Sequence, residues 1–247
     1  MTDRCSLAYN AGEALLLGDC MKATAIIPAY NEATRIESVL SALASVPLVD
    51  EIIVVDDGSQ DNTAEVAASY DGALVARLSH NRGKGWAMHE GVRLAKNETV
   101  VFLDADLVGL TPKHVADLVA PVLSNQADMT VGQFLQGPPC VACWMRFMPA
   151  ISGQRAMQVS HFLAVPRLAT SGYGVEVAIT RYARKRRLRT DYVPLPKLTH
   201  VIKEEKLGFL RGLSARGLMY LQMTRSMLTN GYQQLTQTTA ERDQAGR

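Results

Sequence analysis

Short apolar runs alternate with helix-length amphipathic segments through the first half of this chain, and that alternation restricts the fold more than any other feature. Ala23-Thr24-Ala25-Ile26-Ile27, Glu51-Ile52-Ile53-Val54-Val55, residues 73–78 and Thr99-Val100-Val101-Phe102-Leu103 read as short apolar strands. Between the first two, Ile36, Val39, Leu40 and Leu43 share one face of a helix expected over residues 33–45. Asp61-Asn62-Thr63 is suited to cap a second helix reaching Tyr70. A third is expected after the loop His80-Asn81-Arg82-Gly83-Lys84-Gly85 and runs to Lys96. Thr111-Pro112 opens a fourth, through Leu123, before a further strand over residues 128–132. Strand and helix in turn imply βαβ units, hence an α/β fold with a mainly parallel central sheet flanked by helices.

The second half is less regular. An apolar, Met-rich stretch follows Pro138-Pro139, then Ser152-Gly153-Gln154-Arg155-Ala156-Met157. Residues 172–177 lead into a helix ending in Arg184-Lys185-Arg186-Arg187, whose positive charge suits a helix C-terminus. Tyr192-Val193-Pro194-Leu195 is at best an edge strand, given its proline. Residues 206–230 carry leucines at near-helical spacing with Arg211, Arg216 and Arg225 between them. The expected organisation is an N-terminal extension (1–21), one domain (22–230) divided into halves at 133/134, and a polar tail (231–247).

Composition excludes several classes. Among 247 residues the formal net charge is +2, which makes no general case for nucleic acid. The apolar runs fall short of the roughly 18 residues that signal a membrane span. The expected location is therefore cytoplasmic, with peripheral attachment to a membrane left open. Cys140-Val141-Ala142-Cys143 has metal or redox spacing but no second pair, so buried thiols are the simpler reading.

Chemistry gathers on the loops after successive strands: Pro28-Ala29-Tyr30-Asn31-Glu32, Asp56-Asp57-Gly58-Ser59, Asn81-Arg82-Gly83-Lys84-Gly85 and Asp104-Ala105-Asp106. In a parallel sheet they emerge at one edge, where open α/β sheets hold their ligands. Alone each is weak, since Asp-Gly is a common turn and the Gly-Lys-Gly lacks Walker spacing. No GxGxxG follows a strand, which argues against a dinucleotide dehydrogenase. A nucleotidyltransferase would want a Gly-rich, Arg-containing loop after the first strand. Together the four loops form a crevice of acids with one lysine. It suits a hard divalent cation that keeps coordination positions for substrate phosphates.

These four motifs resemble family 2 glycosyltransferases of the GT-A fold, a Rossmann-like fold for nucleotide-diphospho-sugar transferases, over residues 22–133. The Gly-Lys-Gly form is similar to dolichyl-phosphate sugar synthases. Ser152-Gly153-Gln154-Arg155-Ala156 and Gly172-Tyr173-Gly174-Val175-Glu176 resemble the acceptor region of bacterial glucosyl-3-phosphoglycerate synthases. The resemblance implies that Pro28, Tyr30 and Glu32 line the nucleotide pocket, that Asp57 or Asp56 bonds the base, and that Ala105 belongs to the same donor-binding set. It implies that Lys84 meets the diphosphate, that Asp106 binds Mg²⁺ or Mn²⁺, and that Asp104 contacts the metal or the ribose. A late histidine, His200, would complete the metal site, with Lys203 as a second diphosphate contact.

On the acceptor side Glu176 is the candidate base, while Gln154, Arg155 and Gly174 would line the acceptor. The expected reaction moves a sugar from a UDP- or GDP-linked donor to a phosphorylated acceptor. The apolar, basic second half tips that acceptor toward polyprenyl phosphate at an anionic membrane surface. A small soluble phosphorylated molecule such as a phosphoglycerate is the alternative, and a catalytically silent nucleotide-sugar-binding scaffold the different class. Family 2 resemblance implies inversion and the phosphoglycerate-type pieces imply retention. A homodimer is left open.

Overall fold

A computed structural model describes residues 21–134, 152–166, 168 and 174–200, with His200 described by its backbone alone. The chain divides into two units, Met1–His200 and Val201–Arg247, and the described residues all fall in the first. The expected N-terminal extension, the cysteine pair, Lys203, the 206–230 helix and the polar tail lie outside the described residues.

The elements run β1 (Ala23–Ala29), α1 (Ile36–Leu43), β2 (Val49–Asp56), α2 (Thr63–Ala68), β3 (Ala73–Arg77), α3 (Lys84–Leu94), β4 (Thr99–Phe102), β5 (Leu107–Val108), α4 (Pro112–Leu123) and β6 (Met129–Phe134). After them come β7 (Arg155–Gln158), α5 (Val159–Leu163), α6 (Val175–Arg186), β8 (Thr190–Leu195) and β9 (Thr199–His200). A seven-stranded sheet has the order β3-β2-β1-β4-β7-β6-β8. Every neighbouring pair is parallel except those made by β7, which runs against both β4 and β6. The order reverses beside β1, so the crevice beyond the ends of β1 and β4 is the switch point where α/β sheets bind ligands.

Side-chain alternation along the strands builds a core on each face. Ala25 and Ile27 of β1, with Val54 and Val101, pack on one side with Ile36, Val39 and Leu40 of α1 and Val115 and Leu118 of α4. Ile26, Val100 and Phe102 face the other way, against Met88 and Val92 of α3, Phe162 of α5 and Val175 and Ile179 of α6. The rings of Phe102 and Phe162 lie 4.9 Å apart, within the range of favourable aromatic pairs. Burying each such aliphatic side chain is worth about 2 kcal/mol. Gly91 lets α3 lie directly on β1, because a Cβ there would strike the Ile26 side chain.

The structure departs from the sequence expectation in four places. Helix α1 starts at Ile36, because the residues before it form a turn in which Arg35 and Ile36 donate to the Glu32 carbonyl. Lys84 and Gly85 lie in the first turn of α3, with Gly83 (φ 93°) as the cap, where a loop was expected. Residues 155–158 form a central antiparallel strand. A small ladder, Leu107 opposite His200 and Val108 opposite Thr199, was also not anticipated. Pro194 is accommodated because β8 is an edge strand. Among the described residues no helix is long and apolar enough to cross a membrane.

Candidate active site

The loops after β1 and β2 are tied together by side chains bonding to backbone. Ser59 Oγ accepts from Asn31 N at 2.9 Å, Asn31 Oδ1 accepts from Gln60 N at 2.9 Å, and Thr63 Oγ1 accepts from Glu32 N at 2.9 Å. Asn31 adopts the left-handed conformation (φ 56°) that asparagine tolerates better than most residues. Asp57 extends the tie to the next loop. Its two carboxylate oxygens accept from Arg82 N and Gly83 N, each at 2.8 Å, just before α3. Asp56 Oδ1 accepts from Ser59 N at 3.0 Å, and Arg77 Nε lies 3.3 Å from Asp56 Oδ2.

The sequence expectation puts Asp57 or Asp56 on the nucleotide base. The structure buries both, with Asp57 bonded to loop backbone through both oxygens and Asp56 through Oδ1. Beside them lies a cleft of about 330 Å³ lined by Gly58, Ser59, Arg77, Leu78 and Ser79. Gly58 (φ 71°) has no room for a side chain, since a Cβ would come within 2.6 Å of the His80 backbone. Tyr30, 41% exposed, stands with the part-buried Glu32 on the loop after β1, just past Pro28 of the strand.

Past β4 the chemistry becomes ionic. Lys84 Nζ lies 2.6 Å from Asp104 Oδ1 and 2.6 Å from Glu176 Oε1, bridging three elements far apart in sequence. Burial works against the Lys84 ammonium, but Asp104 and then Glu176 outweigh it and hold its pKa well above the ordinary lysine value. Gln154 Nε2 donates to Asp104 Oδ2 at 2.9 Å, and Ser152 Oγ donates to Gln154 Oε1 at 3.1 Å. Gly153 makes this packing feasible. A Cβ there would come within 2.6 Å of Asp104 Oδ2 and 2.7 Å of Lys84 Nζ.

Gln154 and Arg155 are both 0% exposed, so neither side chain is presented to an acceptor as expected. Arg155 instead donates to the Ser152 carbonyl at 2.5 Å and to the Glu176 carbonyl at 3.4 Å, fastening the start of β7 to the first turn of α6. Burial lowers its pKa, opposed by Glu176 and Asp104, and an arginine stays charged under such a shift. Ala105 packs in the hydrophobic core, which leaves its backbone for a ligand. A Cβ at Gly174 would meet nothing within 4 Å among the described residues.

Asp106 follows Asp104 at the edge of the sheet and is part-buried. The β5–β9 ladder sets the His200 backbone opposite Leu107, the residue after Asp106. The His200 side chain lies outside the described residues. Gly109 (φ 81°) admits the turn before β9, because a Cβ there would come within 2.6 Å of the Lys197 carbonyl. His114, from the first turn of α4, also packs at this turn: its ring accepts from Thr111 N at 3.3 Å and bonds the Pro196 backbone. Two carboxylates one residue apart at a strand end are hard oxygen donors. They fit Mg²⁺ or Mn²⁺ with coordination positions kept for phosphate oxygens. Among the described residues no group of three or more such side chains forms a complete cage.

Arg77, which lines the cleft and pairs with Asp56, is a residue that motif reading missed, and the packing role of Gly153 had a signal, a glycine between polar residues before a buried strand. The family model of Glycosyl transferase family 2 matches residues 24–168. Glucosyl-3-phosphoglycerate synthase of Mycobacterium tuberculosis (strain H37Rv) is 32% identical over 179 residues, 67% of this chain and 54% of that protein. Dolichyl-phosphate beta-glucosyltransferase of Dictyostelium discoideum is 32% identical over 126 residues, 43% of this chain and 38% of that protein. The chain thus spans about half the length, or less, of these curated relatives. A crystal structure of the M. tuberculosis synthase with Mn²⁺, UDP and glucosyl-3-phosphoglycerate superimposes with a TM-score of 0.64 at 26% identity, covering 78% of this chain and 77% of that one. The sheet order, the four strand-end loops and the family match over residues 24–168 lead to one conclusion: this chain belongs to glycosyl transferase family 2.

Proposed function

We propose that this protein transfers a sugar from a UDP-linked donor to a small phosphorylated acceptor, using a divalent metal held by Asp106 and Asp104. The observation that carries this reading is the Lys84 ammonium, fixed 2.6 Å from both Asp104 and Glu176. It puts one compact positive charge between a metal-binding pair of carboxylates and a carboxylate suited to proton transfer. The base enters the cleft by Gly58 and Ser59, with Tyr30, Pro28 and Glu32 along its side, while Asp56 and Asp57 hold those loops. Lys84 lies within reach of the diphosphate and complements the charge that grows on it as the glycosidic bond breaks. The metal, when bound, supplies Lewis-acid stabilisation to the same leaving group.

Glu176, on the first turn of α6, takes the proton from an acceptor hydroxyl. Arg155 keeps it in place through the Glu176 carbonyl. Support for a phosphoglycerate-like acceptor comes from the M. tuberculosis synthase, which matches over 78% of the chain in three dimensions. The Dictyostelium relative favours a second reading, a polyprenyl phosphate acceptor. There the exposed basic end of α6, Arg184-Lys185-Arg186-Arg187, would face anionic headgroups at a membrane surface. Incubation of the full chain with UDP-glucose, Mn²⁺ and either 3-phosphoglycerate or a polyprenyl phosphate tests both. Glycosylated phosphoglycerate formed without lipid is the expected product. Product with the lipid alone would move the assignment to the second reading, and no transfer to either would sink both.

A further inference from the structure

Resting on the donor-site reading above, we infer that Lys84 keeps Asp104 closed to divalent metal until a nucleotide diphosphate draws its ammonium away, so that metal and donor load as a coupled pair. Both oxygens of Asp104 face N–H donors: Oδ1 receives Lys84 Nζ at 2.6 Å and Oδ2 receives Gln154 Nε2 at 2.9 Å. The side chains of Lys84 and Asp104 are 22% and 19% exposed, so their attraction is only partly screened by solvent. A metal ion arriving at Oδ1 would meet an ammonium already bound there, and repulsion between the two cations disfavours their sharing that oxygen.

Lys84 has few ways to retreat. Gly153 packs against the pair so closely that even a methyl group would collide with Nζ. Glu176 holds the ammonium from the α6 side, again at 2.6 Å. What can compete for the ammonium is another anion entering from the crevice, and a diphosphate is such an anion. The lysine stem is flexible and its head a compact charge with several donors, so it can exchange carboxylate for phosphate without losing its pairing. Once it turns to phosphate, Asp104 Oδ1 is released to the metal. Metal and diphosphate each favour the same displaced state of Lys84, and such linkage is reciprocal: each raises the affinity for the other.

Lys84 is thus a positioning residue for the metal as well as a diphosphate contact. The test reads metal binding, not turnover, on the full chain. Mn²⁺ affinity is measured by electron paramagnetic resonance without nucleotide, then with UDP. Without nucleotide, Lys84→Met should bind Mn²⁺ about tenfold more tightly than wild type, and UDP should raise its Mn²⁺ affinity by a factor about tenfold smaller than in wild type. Glu176→Gln retains Lys84 and leaves it to Asp104 alone, so it should bind Mn²⁺ less tightly, which a general loss of structure at Lys84→Met would not explain. Adding Asp104→Asn to Lys84→Met should abolish the gain, because the competition acts at that carboxylate. Unchanged or weaker Mn²⁺ binding in Lys84→Met, or a gain that survives Asp104→Asn, would overturn the inference. Failure of wild type to bind UDP with Mn²⁺ would instead strike the donor-site reading itself.

Discussion

The two sides of the crevice are built on different physics. On the β1–β2 side, loops are fixed by short side-chain bonds to backbone: Asn31, Ser59, Thr63 and Asp57 each serve a neighbouring loop at 2.8–2.9 Å. On the β4–β7–α6 side, fixation is by buried charge, with Lys84 between two carboxylates and Arg155 wholly enclosed beneath them. The uncharged members of the first set, Asn31, Ser59 and Thr63, tolerate the loss of one bond, since each is worth about 1 kcal/mol net. A buried charge cluster does not, because removing one partner leaves another uncompensated. On the proposed function, the first side is a mould for a nucleotide and the second a charged surface at which the transfer would take place.

Substitutions separate the two. Gly153→Ala strikes the charged side hardest: the added methyl must push Lys84 or Asp104 aside, and kcat/KM for the nucleotide sugar should fall about 100-fold with a native circular dichroism spectrum. A fall below threefold would show that the Lys84–Asp104 distance is not critical. Arg155→Ala removes a buried cation and leaves two carbonyls short of a donor, so denaturant unfolding should report a loss of about 3 kcal/mol.

On the moulded side the effects are smaller. Asp57→Asn exchanges one acceptor for an N–H facing another N–H, and should cost about 1–2 kcal/mol in the same measurement. An equal loss at both positions would erase the difference between the two sides of the crevice. The smallest effect concerns His114. Burial lowers its pKa below the usual 6.5, so the unfolded chain takes up a proton first as pH falls. The neutral ring's contribution is fully present above pH 6.5 and is lost as pH drops through the lower folded-state value. The melting temperature should therefore decline on acidification from pH 7, and less steeply in His114→Gln.

The same division governs what could be read from the sequence. Strands β1, β2 and β4 and the faces of α1 and α4 follow from apolar period and composition, because each is buried on a face whose pattern is local. The strand-end loops carry motif residues close together in sequence. Lys84 with Glu176, by contrast, pairs residues 92 positions apart, and Gln154 with Asp104 spans 50. No local signal encodes such pairs. Strand β7 was missed because Arg155 and Gln158 look solvent-facing, although Arg155 is buried by the carbonyls it bonds. The two-residue ladder that brings β9 to Leu107 is too short for any periodicity to register. Asp57 shows the converse: its motif was visible, but its bonding to the α3 loop depends on tertiary packing.

The most direct test of the metal-dependent transfer is the turnover of UDP-glucose with 3-phosphoglycerate and Mn²⁺ by wild type and Asp106→Ala, followed by mass spectrometry of the product. Wild type should form a glucosylated phosphoglycerate that disappears on chelation, and Asp106→Ala should lose about 1,000-fold in rate. Equal turnover by the two proteins, or turnover indifferent to chelator, would contradict it.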